Sequence, residues 1–369
     1  MYNSIAVIEG DGVGPEVIRE ALKIGNLLTE KYGLELEFHK LPYGADYYLD
    51  TGITLPDEVL KAMPEKYSGL LFGALGDPRI KDHRHIMDIL GGLRFRLDLY
   101  VNFRPARLMN TGYCPLKKIT QEREIDFVVF KENTEDLYIN SGGIFKKGTE
   151  DEVAIENAVH TRKGVKRIIT AGFDYAATHK KNRVCLGDKS NVMRYAGDLW
   201  QRTFYEIGAE YPEIEKQHKY IDALCMDIIR NPSNYDVIIT SNMFGDILTD
   251  VAAEIQGGMG VAASCNYNPQ HEKFLGLFEP VHGSAPDIAG RNIANPIGAI
   301  LSFNMLLERL GFKKEADSVY NAIKKAMDKG VVTTDLGGNA STSEVGDFIC
   351  ENIKEAGKND DHSRENICT

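Results

Sequence analysis

Short unbroken apolar runs alternate along the chain with longer stretches in which apolar residues return every three or four positions. The first run is Ile5-Ala6-Val7-Ile8. A glycine-rich turn follows, Glu9-Gly10-Asp11-Gly12-Val13-Gly14, and then Pro15 with Val17, Ile18, Ala21, Leu22 and Ile24 at helical spacing. Proline suits a first helical turn, where its missing N–H would have no intrahelical partner. Four further runs read as strands: Gly69-Leu70-Leu71-Phe72-Gly73, Phe127-Val128-Val129-Phe130, Val184-Cys185-Leu186 and Val237-Ile238-Ile239-Thr240. Long helices are expected over residues 191–206 and 296–310. Strands that are apolar throughout are buried on both faces, so the pattern predicts an α/β fold, a sheet flanked by helices. No repeat or long linker divides the chain, which favours two lobes sharing one continuous sheet. The polar residues 357–369 are expected to fray.

Composition narrows the function classes. The 369 residues carry a formal net charge of −11, which repels nucleic-acid phosphates, so any anionic substrate needs a local concentration of positive charge. No apolar run approaches the ~20 residues of a membrane span. The opening Met1-Tyr2-Asn3-Ser4 has no basic region or cleavage site, so it is not read as a secretion signal. Six cysteines, at 114, 185, 225, 265, 350 and 368, are scattered with no Cys-x-x-Cys pair. Reduced thiols in a cytoplasmic protein are the expectation.

Several segments carry candidate chemistry. Ser241-Asn242-Met243-Phe244-Gly245-Asp246-Ile247-Leu248-Thr249-Asp250 follows a strand and should open a helix, putting Asp246 and Asp250 on one helical face. Adjacent carboxylates repel unless protonated, paired or bridged by a cation, and hard oxygens suit Mg²⁺ or Mn²⁺. Ordinary first-turn aspartates would look the same in sequence. Asp222 stands in an otherwise apolar stretch, where an unpaired charge is costly; a metal, a hydrogen bond or a turn would each account for it.

The run Leu93-Arg94-Phe95-Arg96-Leu97-Asp98-Leu99-Tyr100-Val101-Asn102-Phe103-Arg104-Pro105 holds three arginines. Arg94 and Arg104 are candidates to clamp a carboxylate, with Arg96 facing solvent; surface ion pairs are the alternative. Lys131 ends a predicted strand and Tyr138 follows seven residues on. Lys189 lies just past another strand, where α/β sheets place ligands, and is a candidate proton carrier. Glu279-Pro280-Val281-His282-Gly283-Ser284-Ala285-Pro286-Asp287-Ile288-Ala289-Gly290 is a ligand-approach loop or a plain run of turn residues. An acidic group such as Asp287 would accept from a ribose diol and repel a 2′-phosphate, favouring NAD over NADP. The opening glycines, spaced G-x-G-x-G, depart from the G-x-G-x-x-G dinucleotide fingerprint and fit either a phosphate cradle or a tight turn.

Taken in order, GDGVGPE, LRFRLDLYVNFRP, KENTEDLY, GDKSN, YIDAL, NMFGDILTD and EPVHGSAPDIAGRNIANP closely resemble the isocitrate/isopropylmalate dehydrogenase family, up to about Gly338. The resemblance implies a two-lobed α/β fold that is not a Rossmann domain. One lobe would be a discontinuous cofactor lobe of residues 1–100 and 257–369; residues 101–256 would carry the dimer contacts and the metal-binding residues. It implies a homodimer with shared active sites, in which Asp246 and Asp250 hold a divalent ion with Asp222 from the partner. Lys189, also from the partner, would be the base and Tyr138 the acid, with Arg94, Arg104 and Lys131 on the substrate. The cofactor NAD would meet Glu279, His282, Gly283, Ser284, Ala285, Asp287, Ile288, Asn295 and Asp335. The implied reaction is oxidative decarboxylation of a small anionic 2-hydroxy acid.

Two departures bear on the substrate. Lys131 stands where the family has a third arginine, keeping the charge and losing the planar fork. The segment expected to read the substrate's remaining substituent, His83-Arg84-His85-Ile86-Met87-Asp88-Ile89-Leu90-Gly91, lacks the Ser/Asn pair of isocitrate-specific members. Its Met87, Ile89 and Leu90 suggest an apolar pocket, hence 3-isopropylmalate. Its ungapped start and the ENTE-type motif resemble tartrate or D-malate dehydrogenases instead. A regulatory, non-catalytic subunit is the reading from another class, although Lys189, Tyr138 and the three aspartates are all retained.

Overall fold

The computed structural model describes residues 3–365, and side chains through 354. Ten strands form one sheet: β1 (Asn3–Ile8), β2 (Leu36–Lys40), β3 (Gly69–Phe72), β4 (Val101–Arg107), β5 (Asp126–Glu132), β8 (Arg183–Asp188), β9 (Glu215–Tyr220), β10 (Val237–Thr240), β11 (Ala263–Tyr267) and β12 (Leu277–Pro280). The remaining two, β6 (Gly142–Phe145) and β7 (Val153–Glu156), pair separately as an antiparallel arm. The order across the large sheet is β2-β1-β3-β12-β11-β4-β5-β10-β8-β9. Both outer thirds are parallel. At the centre β11 runs antiparallel to β12 and to β4, and β4 antiparallel to β5. The chain therefore belongs to a mixed α/β architecture.

All five apolar runs are strands, and the fully buried β3 and β10 show why they read as continuous rather than alternating. Helices cover both faces. On one half Ile5, Val7, Ile18, Phe278, Ile300 and Phe303 share a core; on the other Phe130, Val165, Ile169, Phe204 and Ile239 do. The helix expected over 296–310 is Ile297–Arg309. The one expected over 191–206 is displaced to Arg194–Gly208, because the N–H groups of Val192 and Met193 first close a turn on the Lys189 carbonyl at 2.9 and 2.8 Å. The final helix, Thr342–Glu365, continues into the segment expected to fray, and residues 366–369 lie outside the described range.

The opening glycine turn is a packing device. Gly10 (φ +77°) and Gly12 (φ +59°) occupy the left-handed region, and a Cβ on either would meet a carbonyl oxygen, of Ala74 or Ser284, at 2.0 Å. Two of the turn's donors reach neighbouring loops, Asp11 N–H on Ala74 O and Val13 N–H on Ser284 O. The turn is tight and clamps the Ser284 loop.

Candidate active site

Lys131 is the penultimate residue of β5, opposite Asn102 of β4 and Thr240 of β10. Its side chain is wholly buried and passes over Gly245, where a Cβ would sit 2.4 Å from the lysine Cγ. The glycine in NMFGD thus exists to admit a lysine. The ammonium donates to Asn242, lies 3.2 Å from Asp246 Oδ1 and stands 5.1 Å from the Tyr138 ring centroid. Burial, opposed by Asp246 and assisted by Arg104 and Arg94, draws its pKa down to about 8.

Asp246 gathers the rest. Arg104 Nη2 is 3.1 Å from Oδ1, and the Tyr138 hydroxyl donates to Oδ2. Burial raises the Asp246 pKa, but Lys131, Arg104 and the Tyr138 hydrogen bond outweigh it and hold the carboxyl at about 2. Burial and the Asp246 charge push the Tyr138 phenol well above its ordinary range. One turn along the helix Asn242–Gln256, Asp250 is pushed up by desolvation and then by Asp246. A pair of close carboxylates, one of them destabilised as an anion, is a donor set of hard oxygens that fits a divalent cation.

Arg94 and Arg104, the candidate carboxylate clamp, are joined by a buried relay that sequence reasoning missed. Arg94 Nη2 donates to Glu279 Oε1 at 2.6 Å. Asn266 Nδ2 donates to the same oxygen at 2.7 Å, and Asn102 Nδ2 donates to Asn266 Oδ1 at 2.5 Å. Asn102 Oδ1 then accepts from Arg104 Nε at 2.7 Å. Neutral amides inside otherwise apolar strands were the available signal. Arg96, as expected, is outside this set and pairs with Asp57 at the surface.

Lys189 and Asp222 form a second group. Lys189 Nζ is 2.6 Å from Asp222 Oδ2, and the aspartate is largely exposed in the first turn of the helix Ile221–Arg230. The expectation of a charge sunk in apolar surroundings is corrected: the helix turns Leu224 and Ile228 inward and Asp222 outward. Asp188 anchors this loop, accepting from Ser190 N–H at 3.0 Å and standing 2.8 Å from His218 Nε2. Among the described residues of one chain no hydrogen bond or ion pair links this group to Asp246, Asp250 or Tyr138, and no three carboxylate, histidine or cysteine groups converge.

In the apolar-pocket segment, Ile89 is a core residue with no exposure, so it reads no substrate; Met87 is exposed and Leu90 packs partly against the core. The three positions lie in a π-helical turn, Met87–Gly91, and positions one and two apart on a helix face different sides. At the cofactor loop, His282 Nε2 is buried without a partner, and burial lowers this histidine's pKa. Gly283 borders open space and Ala285 has φ +38°. Asp287 is exposed, Ile288 lies against the core, and Asn295 Nδ2 donates to Asp335 Oδ2 at 2.9 Å. An orphaned ring nitrogen beside an open glycine fits a bound dinucleotide. Glu279, expected on the cofactor, is bonded to Arg94 and Asn266.

Residues 4–349 match the family described as isocitrate/isopropylmalate dehydrogenase. Among curated relatives, a 3-isopropylmalate dehydrogenase of Thermobifida fusca is 40% identical over 353 residues, covering 96% of this chain and 98% of that one. A probable tartrate dehydrogenase/decarboxylase of Bacillus subtilis is 37% identical, covering 95% and 98%. An isocitrate dehydrogenase crystal structure from Methylococcus capsulatus superposes with TM-score 0.84 at 33% identity, covering 95% and 99%.

Proposed function

The chain belongs to the isocitrate/isopropylmalate dehydrogenase family, and from that premise we propose that it is a decarboxylating 2-hydroxy-acid dehydrogenase. The reading rests chiefly on one observation: Arg104, Lys131 and Tyr138 all meet Asp246, one turn from Asp250. Bound NAD would supply the hydride acceptor, and a Mg²⁺ or Mn²⁺ ion held by Asp246, Asp250 and the partner subunit's Asp222 would polarise the substrate oxygens.

The chain's own groups do the rest. Arg94 and Arg104 hold the departing carboxylate, prealigned by Glu279, Asn266 and Asn102. Lys131 adds a third positive charge in a site screened from water. The partner subunit's Lys189 accepts the hydroxyl proton at its Nζ. Tyr138, whose raised pKa keeps it protonated at neutral pH, delivers its Oη proton to the carbon left by carbon dioxide.

The cofactor lobe would be residues 1–100 and 257–369, and residues 101–256 would bring the dimer contacts. Exposed Met226, Ile229, Met243 and Ile247 on neighbouring helices, and Ile144, Phe145, Val153 and Ile155 on the arm, support a dimer. The favoured substrate is 3-isopropylmalate, in leucine biosynthesis, and the favoured cofactor NAD. The compartment would be the cytoplasm; among the described residues no helix is long and apolar enough to cross a membrane. The Bacillus subtilis relative, with the ungapped Asp82-His83 start and the ENTE-type motif, favours tartrate or D-malate as the second reading.

The test is NADH or NADPH formation with and without Mn²⁺, across 3-isopropylmalate, D-malate, tartrate and isocitrate. The expected result is the highest kcat/KM with 3-isopropylmalate, NAD and Mn²⁺. Higher values on D-malate or tartrate would establish the second reading, and no turnover on any would indicate a regulatory subunit.

A further inference from the structure

Strand alternation gives β4 two faces. Asn102 and Arg104 point to the site above, while Phe103, Pro105 and Arg107 point the other way and line a cavity of about 120 Å³. Its opposite wall is the helix Ile297–Arg309, through Leu301, Asn304 and Met305, and Tyr175 and Tyr320 approach from two further helices. Asn304 is 4% exposed and its Oδ1 has no hydrogen-bond partner. Leaving a buried carbonyl oxygen unpaired is costly, so this side chain calls for a donor from outside the chain.

The geometry points to a second ligand site here, separate from the substrate site, for a neutral, planar, single-ring molecule carrying an N–H or O–H donor. Size sets the single ring, since a cavity of roughly 150 Å³ accepts benzene. A flat ring suits the walls: the rings of Phe103, Tyr175 and Tyr320 line the cavity, with apolar Val128 and Leu301 beside them. Neutrality follows from the charged lining, which holds both signs: the Glu308 carboxylate, and the Arg107 guanidinium paired to Asp126 at 3.2 Å and 5.6 Å over the Tyr320 ring. The donor is set by Asn304.

Phenol and anisole are the probes: anisole lacks the donor of phenol and carries one extra methyl group, and the Asn304→Leu comparison separates the two differences. In the full-length protein, soaked crystals are expected to show phenol in the cavity with its hydroxyl on Asn304 Oδ1. Calorimetric titration is expected to give phenol at least about tenfold tighter binding than anisole. In Asn304→Leu, close in size and without the acceptor, that preference is expected to vanish. Ordered water alone in phenol-soaked wild-type crystals would overturn the proposal, as would an unchanged preference in Asn304→Leu. The wild-type soak and titration decide the matter even if that variant folds poorly, and neither depends on the reaction proposed above.

Discussion

Asn266 Nδ2 and Arg94 Nη2 meet on one oxygen of Glu279, at 2.7 and 2.6 Å, which fixes a buried guanidinium from below while Arg94 Nε remains unpartnered. Glu279→Gln keeps the shape and leaves the cation without its counter-charge. Breaking such a pair costs about 3–5 kcal/mol. A lower melting temperature and a raised KM for substrate are expected, with part of the stability returned by saturating substrate, whose carboxylate replaces the lost charge. Differential scanning calorimetry with and without substrate checks this, and an unchanged melting temperature would show that the pair is not under strain of burial.

Lys131 is a buried cation held by a glycine-shaped channel. Lys131→Met removes both the charge and its desolvation cost, so stability should move by only about 1 kcal/mol. Over the same change kcat/KM should fall by ~10²–10³, as for loss of one positioned charge. Restoring the family's residue is not expected to help: Lys131→Arg must fit a bulkier head against Asn242 and Asp246, an overpacking cost of about 1–3 kcal/mol. Thermal melts and kinetics of both variants test the pair of statements.

Tyr138 and Lys189 should behave as proton carriers. Tyr138→Phe and Lys189→Met are each expected to lower kcat by ~10²–10⁴ while the fold persists. Purified variants turning over at near wild-type rates would refute these assignments.

A site completed across two chains can be rebuilt from two defective ones. Lys189→Met and Asp246→Asn homodimers should each be nearly inactive. After mixing, denaturation and refolding together, activity should reappear, because a heterodimer holds one site free of both changes. Absence of any recovery, with heterodimers present by native mass spectrometry, would place the site within one chain.

Acid should loosen the helix that carries Asp222. Burial raises the Asp227 pKa, but bonds from Lys219, Tyr235 and Asn231 outweigh it and hold the carboxyl at about 2, below the ordinary 3.8. A depressed folded-state pKa contributes stability above the ordinary value and loses it as pH falls through the folded one. The contribution, on the order of 2 kcal/mol, should disappear between about pH 5 and pH 2. Asp227→Asn should flatten that limb of the melting-temperature profile.

Much of the fold was legible because buried strands leave an unmistakable trace: Val237-Ile238-Ile239-Thr240 is a strand with the predicted bounds. β4, which carries Asn102 and Arg104 of the candidate site, left none. β4 reads as an arginine cluster because alternate positions serve opposite faces, and Asn102 and Asn266 read as unremarkable amides. The helix after Lys189 begins three residues late because local hydrogen bonds, absent from any periodicity, take the first turn.

By itself the sequence determined the α/β character, the family and the carboxylates of one helical face, since periodicity and ordered motifs are local. Only the folded chain decided that Ile89 is core, that Asp222 is exposed, and that Arg94 and Arg104 are joined through three buried side chains. Those facts depend on contacts between residues up to 185 positions apart, where burial and pairing are set by packing across the sheet and leave no mark on spacing along the chain.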